Sequence, residues 1–545
     1  MIKFYKKLQK VTCLLAFFAL FFTSTQAQTL TLSSIDAGPY TPGSSIAVPF
    51  TINTSSGCIN PDNVFKLYIS SVQNGTPDTE IGTYSGFYAA FLNGTIPSGL
   101  AAGSYNLAVK SSDAATTSNI AAVNIVAGSA VLAGIGAPSI NSDNPDIFGS
   151  CSGGTNRPYS FVNTSTTGAV VTATFRNEFS QVNEATNNVN QSTSFTADYS
   201  NYTILVKATD NNGHEGTKAY QLINNKINTS FGTTGTGTVC LSNNGSGQLS
   251  FTVDYTSQNG VQYNYPGNMY VINWGDGSAA SIYTFCDIKR LNGVLSHSYT
   301  ESSCETNAGG DHSFQVTAQM SSPTCGNLGP ANRTSAKVIR APTNSFNAPN
   351  SACLGDAITF NNTSFPGQDA SSADCINNNA KYSWYIDDQL IAFNQPNSAS
   401  FTYTFTTRGQ HTIKLVLQSQ SGSVCGADDV TKTICILAKP QPAFTVDAAT
   451  ICSNGVVTTT DASVIDNSCA NIPQNNAYTW TVTGPAATSF INNTTPQSHS
   501  PQIQFFSPGV YTLTLSIGTE SCGNVSTSQT ITVNTTPTVS LSADK

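Results

Sequence analysis

The chain has 545 residues, which is enough for about three to five domains of ordinary size. Charged residues make up only 10% of the chain and hydrophobic residues 39%, which excludes coiled coils and charged disordered tails, because both need Lys- and Glu-rich stretches. The polar, β-branched and Gly-punctuated remainder suits short strands joined by turns, so an all-β protein is predicted.

The N-terminus predicts export. Lysines at positions 3, 6, 7 and 10 precede an apolar run from Val11 to Phe22, and small residues follow up to Ala27. This pattern predicts a Sec signal peptide over residues 1–27, and the apolar run is too short to span a bilayer. The remaining chain has 18 Lys and Arg against 30 Asp and Glu, a net charge of −12. That balance disfavours nucleic acid and anionic membrane as partners and favours a secreted or cell-surface location.

One strand pattern recurs along the mature chain: a Gly or polar residue, an aromatic ring, and then alternating apolar residues. The ring falls at positions 105, 202, 312, 411 and 511, at spacings of 97, 110, 99 and 100 residues. Alternation with a period of two predicts a strand with one buried face, and a repeat of about 100 residues is one β-sandwich. The ring is Tyr105, Tyr202, His312, His411 or Tyr511, which predicts a structural tyrosine-like corner rather than a histidine that does chemistry.

Other landmarks keep the same order. An opening cysteine is found at positions 151, 240, 353 and 452, and a Cys-Gly pair follows the ring strand at positions 325, 425 and 522. A Tyr-x-apolar strand lies between them in three repeats, and it includes Trp384 and Trp480, which we expect to be buried.

The third repeat reads Tyr270-Val-Ile-Asn-Trp274-Gly275-Asp276-Gly277-Ser278 and continues to His297-Ser-Tyr299. This motif resembles the polycystic-kidney-disease (PKD) domain, a seven-stranded immunoglobulin-like sandwich in which these residues are structural. Repeats two, four and five resemble degenerate PKD modules. The first repeat, from Asn63-Val-Phe65 to Tyr105, is similar to a module of surface proteins in gliding bacteria that use type IX secretion.

The register of the repeats predicts five domains in an extended rod, because the junctions are short and carry prolines. The predicted segments are a signal peptide (1–27), an adhesin-type N-terminal sandwich (28–127), a degenerate PKD-like sandwich (128–228), a PKD domain (229–341), two PKD-like domains (342–439 and 440–537) and the start of a truncated sixth repeat (538–545).

Thirteen cysteines remain after residue 27, and export makes disulfides the expected state. In an immunoglobulin-like sandwich the B–C and F–G loops share one end, and the A–B and E–F loops share the other. This topology predicts five disulfides, each within one sandwich. It assigns no partner to Cys58, Cys151 or Cys452. The expected pairs are Cys240–Cys304, Cys286–Cys325, Cys353–Cys435, Cys375–Cys425 and Cys469–Cys522.

The sequence lacks the motifs of common catalytic and metal sites. There is no Gly-x-Ser-x-Gly elbow, no Walker loop and no His at metal-finger distance from Cys. Asp276 is expected in a tight turn, and Asp387-Asp388 and Asp428-Asp429 are expected in solvated loops. A calcium site is the less favoured alternative at each of the three places. No catalytic residue, cofactor or metal ligand is therefore predicted.

The favoured function is a non-catalytic, outer-membrane-associated adhesin or stalk that binds an extracellular glycan or protein surface. The resemblance adds attachment or gliding motility, and export through the type IX machinery. The alternative is the spacer or carbohydrate-binding portion of a larger secreted hydrolase.

The C-terminal residues predict a longer protein. Val539 to Lys545 aligns with Phe444 to Thr450, two residues before Cys452, so a sixth opening cysteine is expected at about position 547.

Overall fold

A computed structural model describes residues 28–541 except 56, 75–77, 114, 138–143, 227–230, 234–236, 243–244, 258, 307–309, 373, 419–424 and 470–476. Strands account for 55% of the structure and helix for 2%, which confirms the all-β fold class. The predicted signal peptide and residues 542–545 of the predicted sixth repeat lie outside this part. Within the described part, no helix is long and apolar enough to cross a membrane. The chain forms two compact units, one up to Val338 and one from Ile339 onward.

The first unit contains three two-sheet sandwiches. Sandwich 1 pairs β1-β2-β5 against β4-β3-β6, and β7 and β8 join β6. Its strands are β1 (Thr29–Leu32), β2 (Ser45–Asn53), β3 (Val64–Ser71), β4 (Thr79–Ser85), β5 (Phe91–Thr95), β6 (Gly103–Ser111), β7 (Thr116–Thr117) and β8 (Ala121–Ile125), with a 3-10 turn at Val72–Asn74.

Sandwich 2 pairs β14-β11-β9 against β10-β16-β15-β12-β13. Its strands are β9 (Ile135–Gly136), β10 (Ile147–Ser150), β11 (Arg157–Asn163), β12 (Val170–Asn177), β13 (Val182–Asn188), β14 (Ser192–Ala197), β15 (Asn201–Thr209) and β16 (Glu215–Asn224). Its β10 runs parallel to β16, whereas its other pairings are antiparallel. In immunoglobulin lettering these sheets are A-B-E and A′-G-F-C-C′.

Sandwich 3 repeats this order, with β17-β19-β22 facing β18-β24-β23-β20-β21. Its strands are β17 (Phe231–Thr233), β18 (Thr238–Leu241), β19 (Gly247–Val253), β20 (Met269–Asn273), β21 (Ser281–Thr284), β22 (Val294–Tyr299), β23 (Phe314–Ser322) and β24 (Gly326–Arg340). A 3-10 turn at Val261–Tyr263 and one short helix, α1 (Phe285–Arg290), complete it.

The second unit contains sandwiches 4 and 5. The strands of sandwich 4 are β25 (Phe346–Asn347), β26 (Ser351–Cys353), β27 (Ala357–Asn362), β28 (Lys381–Ile386), β29 (Gln389–Pro396), β30 (Phe401–Thr404), β31 (Gly409–Leu417) and β32 (Val430–Leu437). Those of sandwich 5 are β33 (Phe444–Val446), β34 (Thr450–Cys452), β35 (Gly455–Asp461), β36 (Ala477–Thr483), β37 (Thr488–Ile491), β38 (Gln502–Phe505), β39 (Gly509–Thr519) and β40 (Gly523–Asn534). Sandwich 4 again pairs β25-β27-β30 with β26-β32-β31-β28-β29, and sandwich 5 pairs β33-β35-β38-β37 with β34-β40-β39-β36.

Each sandwich has its own hydrophobic core, in which large rings fill the space between the sheets. Trp274, Trp384 and Trp480 are at most 1% exposed, which confirms the expected burial of the last two. The corner prediction is confirmed where the ring bonds to the carbonyl four residues upstream. Tyr105 and Tyr511 donate from their hydroxyls to such carbonyls at 3.0 and 2.9 Å, and His411 Nε2 lies 3.0 Å from the carbonyl of Thr407.

All ten cysteines expected in disulfides are oxidised, and Cys58 and Cys151 are oxidised as well. The pairing differs from the expected one. The structure forms Cys58–Cys286, Cys151–Cys325, Cys353–Cys522 and Cys435–Cys469. The predicted pairs Cys286–Cys325, Cys353–Cys435 and Cys469–Cys522 are therefore wrong, whereas Cys240–Cys304 and Cys375–Cys425 stay predictions.

The error has a simple physical cause. Loops at one end of a sandwich are neighbours of each other, but that same end also faces the loops of an adjoining sandwich. Each of the four mapped bridges joins two different sandwiches. The first unit also differs from the expected rod, because sandwich 1 is bonded to sandwich 3 through Cys58–Cys286 as well as packed against sandwich 2.

Candidate functional site: a cleft where three sandwiches meet

The site lies in the first unit, around two tyrosines in loops. Tyr88 of sandwich 1 packs edge-on against Tyr265 of sandwich 3, with ring centroids 5.5 Å apart and planes at 87°. Ile147 and Ile223 of sandwich 2 complete a small apolar cluster around Tyr265. The three sandwiches therefore share one apolar contact point, separate from their own cores.

The hydroxyl of Tyr88 accepts a hydrogen bond from Asn201 Nδ2 at 2.8 Å. Burial, together with the negative charge of Glu178, raises the pKa of Tyr88 far above its ordinary value. Burial likewise raises the pKa of Tyr265 well above its ordinary value. Both phenols are therefore neutral at physiological pH.

A cavity of about 250 Å³ is lined in part by Tyr88, and a neighbouring cavity of about 280 Å³ shares some of its walls. They share Glu178 from sandwich 2 and Pro266, Phe285 and Lys289 from sandwich 3. We call the two together the junction cleft. Concave sites between domains, lined by rings and a few polar groups, are typical of ligand-binding sites. The aromatic and polar residues that line the junction cleft include Phe87, Glu178, Phe179, Gln181, Tyr199, Tyr263, Phe285 and Lys289.

Glu178 is the most constrained polar group of the cleft. Its side chain is only 4% exposed, and Oε1 lies 2.7 Å from the guanidinium of Arg176. Gln181 donates from Nε2 to the other carboxylate oxygen at 3.0 Å and to the Glu178 carbonyl at 2.6 Å. Such partners offset the cost of burying a carboxylate. The hairpin between β12 and β13 thus presents a fixed anionic group to the cleft.

That hairpin is shaped by Asn177 at the end of β12. Its side-chain oxygen accepts from the backbone amides of Phe179 and Ser180, at 2.9 and 3.3 Å. Gln181 has a φ of 58°, a left-handed conformation that closes the turn. The hairpin therefore fixes where the neighbouring Phe179 ring stands.

Helix α1 supplies the opposite wall. Thr284 and Asp287 form a capping box, in which Thr284 Oγ1 accepts from the Asp287 amide at 3.2 Å and Asp287 accepts from the Thr284 amide at 2.9 Å. The helix carries Phe285 and Lys289 into the wall and Cys286 to Cys58 of sandwich 1. One disulfide thereby holds the helix wall to the sandwich that faces it.

Aromatic rings are the second feature of the cleft. The ring of Phe179 lies 4.6 Å from that of Tyr263, and Ser200 Oγ donates to the Tyr263 carbonyl. Phe179 and Tyr199 are 51% and 44% exposed. Large rings left this open beside a concave surface are available to stack against a ligand.

The chemistry of the cleft is recognition. Rings can pack against an apolar or sugar face, while Gln181, Glu178 and the ammonium of Lys289 can bind hydroxyl or charged groups. Among the described residues that line it there is no histidine and no pairing of a nucleophile with a base.

The PKD-like residues lie together elsewhere in sandwich 3. Asp276 accepts from the Ser278 amide at 3.0 Å, and its other oxygen lies 2.7 Å from His297 Nε2. The His297 ring stacks on Trp274 at 4.6 Å and meets Tyr299 edge-on at 4.6 Å. Gly275 and Gly277, with φ of 81° and 82°, make the turn that brings Asp276 to His297.

Burial raises the pKa of Asp276, but the hydrogen bonds from Ser278 and His297 outweigh that effect and leave it below the ordinary value. Sandwich 4 has a similar pair, in which Asp387 accepts from the Thr412 amide at 2.8 Å and lies 2.6 Å from His411 Nδ1. The hydrogen bond from the Ser278 amide fits the turn expected at Asp276. In the part of the chain that is described, no three His, Cys, Asp or Glu side chains come together as a metal site would require. Calcium binding at Asp276, Asp387-Asp388 or Asp428-Asp429 stays an untested alternative.

Sequence reasoning missed the junction cleft. Tyr88, Tyr265 and Phe179 lie in loops, where no periodicity marks a side chain as structural or exposed. One signal was present in the sequence, because Thr284-Phe-Cys-Asp287 before Ile288 is a helix-capping pattern.

Comparisons with known proteins give fold likeness alone. No protein-family model and no curated protein matches the chain. Among solved structures, immunoglobulin domains 1–5 of Sidekick-1 are 12% identical over 94% of this chain and 100% of that one, with a TM-score of 0.21. The ectodomain of mouse nectin-like molecule 4 is 11% identical over 56% and 99%, with a TM-score of 0.25. Three N-terminal domains of the bacteriophage RB49 outer capsid protein Hoc are 9% identical over 57% and 99%, with a TM-score of 0.27. All three are tandem immunoglobulin-like arrays, and likeness at this level carries no argument about function.

Proposed function

We propose that this protein is a non-catalytic extracellular adhesin or stalk. The observation that carries the proposal is that each of the four mapped disulfides joins two different sandwiches. A bridge inside a sandwich would stabilise that domain, whereas a bridge between sandwiches fixes their relative orientation. Neighbouring domains otherwise move relative to one another by default. Fixed orientation is of use to a protein that bears a load or holds a ligand site in place.

The same bridges support an extracellular location, because disulfides persist in oxidising compartments. Export by the N-terminal signal peptide, attachment to the outer membrane and delivery by the type IX machinery complete the proposal. Their support is the leader pattern and the resemblance of the first repeat to a module of surface proteins in gliding bacteria. Attachment or gliding motility is the cellular role that follows.

We place the ligand in the junction cleft, and its class is an extracellular glycan or a protein surface. The exposed rings of Phe179 and Tyr199 beside the fixed carboxylate of Glu178 support this placement. The tryptophans do not support the alternative role as a glycan-binding spacer of a hydrolase. All three are buried, so none can stack against a sugar ring.

The test is attachment under flow with beads that carry the full chain, over immobilised glycans and over intact cell surfaces. Phe179→Ala should lower attachment at least tenfold, because a central ring typically accounts for about 2 kcal/mol of binding. The matched control is Phe393→Ala in sandwich 4, where a ring of similar exposure, 61%, lies outside the cleft. Equal loss in both variants, or in neither, contradicts the site.

The stalk role has a separate readout. Single-molecule pulling of the full chain should show extension steps that appear at lower force once Cys435 and Cys469 are both replaced by Ser. Unchanged force profiles would contradict a load-bearing role even if the cleft binds its ligand.

A further inference from the structure

Cys452 is the one cysteine in the described part of the chain that has no disulfide, and it is exposed. It ends β34, which runs parallel to β40, and it lies opposite Asn534, the last residue of that strand. In sandwich 4 the same place is taken by Cys353, which ends β26 opposite Leu437, the last residue of β32. The two cysteines thus occupy one position of the fold.

Sandwich 2 has a cysteine at this position too. Its β10 ends at Ser150 opposite Asn224, the last residue of β16, and Cys151 follows at once. Three sandwiches therefore carry a cysteine at the end of the strand that pairs in parallel with strand G.

Cys240 of sandwich 3 also lies on the strand beside strand G, as the third residue of β18. The other two equivalents of Cys452 have the same kind of partner. Cys151 bonds to Cys325, in the turn between β23 and β24 of sandwich 3. Cys353 bonds to Cys522, in the turn between β39 and β40 of sandwich 5. Each partner cysteine belongs to the F–G hairpin of the following sandwich, and each is followed by a left-handed Gly that opens strand G. This pairing is found once in each unit.

The surroundings of Cys452 and Cys353 differ in exposure. The end of sandwich 4 at Cys353 is covered by sandwich 5, whereas the end of sandwich 5 at Cys452 is uncovered. Cys353 is 1% exposed, beneath the hairpin of sandwich 5. Near Cys452, Phe506 and Val510 are 44% and 61% exposed. Counted from the glycines that open β31 and β39, the same places in sandwich 4 hold the polar residues Thr406 and Gln410.

The register puts these groups at one end of sandwich 5. Val510 lies opposite Thr532, two residues before Asn534. Phe506 follows Phe505, and Phe505 pairs with Gly455, which is three residues after Cys452. A thiol with two apolar side chains at the same end is a surface that a partner domain can cover.

We infer that Cys452 forms a disulfide with the F–G hairpin cysteine of a further immunoglobulin-like sandwich, which docks on this end of sandwich 5. A second copy of the chain cannot supply that cysteine, because Cys325, Cys425 and Cys522 are already oxidised. The partner is therefore a sandwich of the same kind that is not one of these five.

The bond forms by thiol–disulfide exchange with a dithiol oxidase of the export compartment. The Cys452 thiolate attacks the disulfide of the oxidase and releases one of its sulfurs as a thiol. The hairpin thiolate then attacks Cys452 Sγ in this mixed disulfide and displaces the second oxidase sulfur. Two protein thiols lose two protons and two electrons, and the oxidase disulfide gains them as a dithiol.

The experiment uses the protein as it occurs on its native cells. Thiols are alkylated in intact cells, the protein is purified without reductant, and the peptide linked to Cys452 is identified by mass spectrometry. We expect a peptide that reads Cys-Gly after an alternating apolar strand, as at Cys325-Gly326 and Cys522-Gly523. Alkylated Cys452, a Cys452–Cys452 link between two copies, or a link to a small thiol would each overturn the inference.

A matched variant separates docking from exposure. Cys452→Ser combined with Thr479→Cys moves the exposed thiol to an outward position of β36 in the same sandwich. The double variant should lose the link to the hairpin peptide. Cys452→Ser alone should lose it to the same extent. If the thiol at position 479 captures the same peptide, exposure alone explains the bond and the docking end is wrong.

Discussion

The first and second sandwiches are held together differently from the fourth and fifth. Between sandwiches 1 and 2 the contact runs along the outer face of β16, and the cysteine of each bonds to sandwich 3 rather than to the other. Between sandwiches 4 and 5 the contact is made by loops and strand ends, and two disulfides cross it. One junction is therefore a packed, hydrogen-bonded interface and the other a covalent one.

The interface between sandwiches 1 and 2 buries the outer face of β16. Nearly all of this strand is buried, whereas the corresponding β40 alternates between exposed and covered residues. The outer face of β16 carries Thr217, whose hydroxyl accepts from the Ala47 amide at 2.9 Å. Asn93 pairs with the backbone of Ala219 through both of its side-chain groups, at 2.8 and 2.9 Å. Small and polar residues can thus be buried between sandwiches, because the neighbour satisfies their hydrogen bonds.

The largest expected effect breaks the packed junction. Ala219→Glu places an unpaired carboxylate in a position with no exposure, and the cost of such a charge is about 3–5 kcal/mol. Hydrogen exchange of the β16 amides should rise by orders of magnitude, as local opening becomes easier.

The control is Thr530→Glu on the exposed outer face of β40. It should leave exchange in β40 unchanged to within a few-fold. Similar acceleration in both strands would show that β16 is destabilised as an ordinary sheet strand rather than as an interface.

The next effect breaks the covalent junction. Cys435→Ser with Cys469→Ser opens a loop with a sequence separation of 34 residues, and the chain-entropy relation gives a loss of about 3–4 kcal/mol. Guanidinium unfolding followed through Trp384 and Trp480 fluorescence should shift its midpoint accordingly. The control is Cys452→Ser in the purified 545-residue chain, without the inferred partner sandwich. It should change stability by less than about 0.5 kcal/mol, since in this chain Cys452 is exposed and in no disulfide.

Sequence periodicity predicted the strands well, because alternation reports the inward face that every sandwich needs. It also predicted the corner rings at Tyr105, His411 and Tyr511 and the buried tryptophans for the same reason. It could not predict the disulfide partners, because Cys353 has possible partners at its own end of sandwich 4 and in the next sandwich. Nor could it predict the buried outer face of β16, where Thr217 and Gln221 resemble ordinary solvent-facing residues. Contacts between domains carry no period that a single strand can show.

A smaller effect tests charge at the packed junction. Lys207 of sandwich 2 lies 2.7 Å from Asp36 of sandwich 1 and 2.6 Å from Glu215. Burial raises the pKa of Asp36, but hydrogen bonds with Glu215, Lys207 and the Gly38 amide outweigh it and lower the pKa. Burial and the hydrogen bond with Asp36 raise the pKa of Glu215. The lysine therefore holds two carboxyl groups together.

Lys207→Met should cost about 1–2 kcal/mol at pH 7, between the value of an exposed pair and that of a buried one. Without the cation both carboxyl pKa values rise above their unfolded values, so the folded state gains stability as the pH falls toward 4. The deficit should thus shrink between pH 7 and pH 4 in thermal unfolding followed by circular dichroism. Lys66→Met removes an exposed pair with Glu80 in sandwich 1, and it should show neither the loss nor the pH dependence.

The smallest expected effect tests whether a polar contact at the covalent junction depends on the bridge beside it. Ser351 Oγ of sandwich 4 lies 2.6 Å from Ser521 Oγ of sandwich 5, next to Cys353–Cys522. Ser351→Ala should cost about 0.5–1 kcal/mol, because Ser521 is partly exposed and can bond to water instead.

We expect the two hydroxyls to meet only while the Cys353–Cys522 bridge holds sandwiches 4 and 5 in this register. In the Cys353→Ser/Cys522→Ser background, the same substitution should therefore cost nothing measurable in guanidinium unfolding. A double-mutant cycle isolates this coupling, and an equal cost in both backgrounds would mean that packing alone sets the register of sandwiches 4 and 5, as it does for sandwiches 1 and 2.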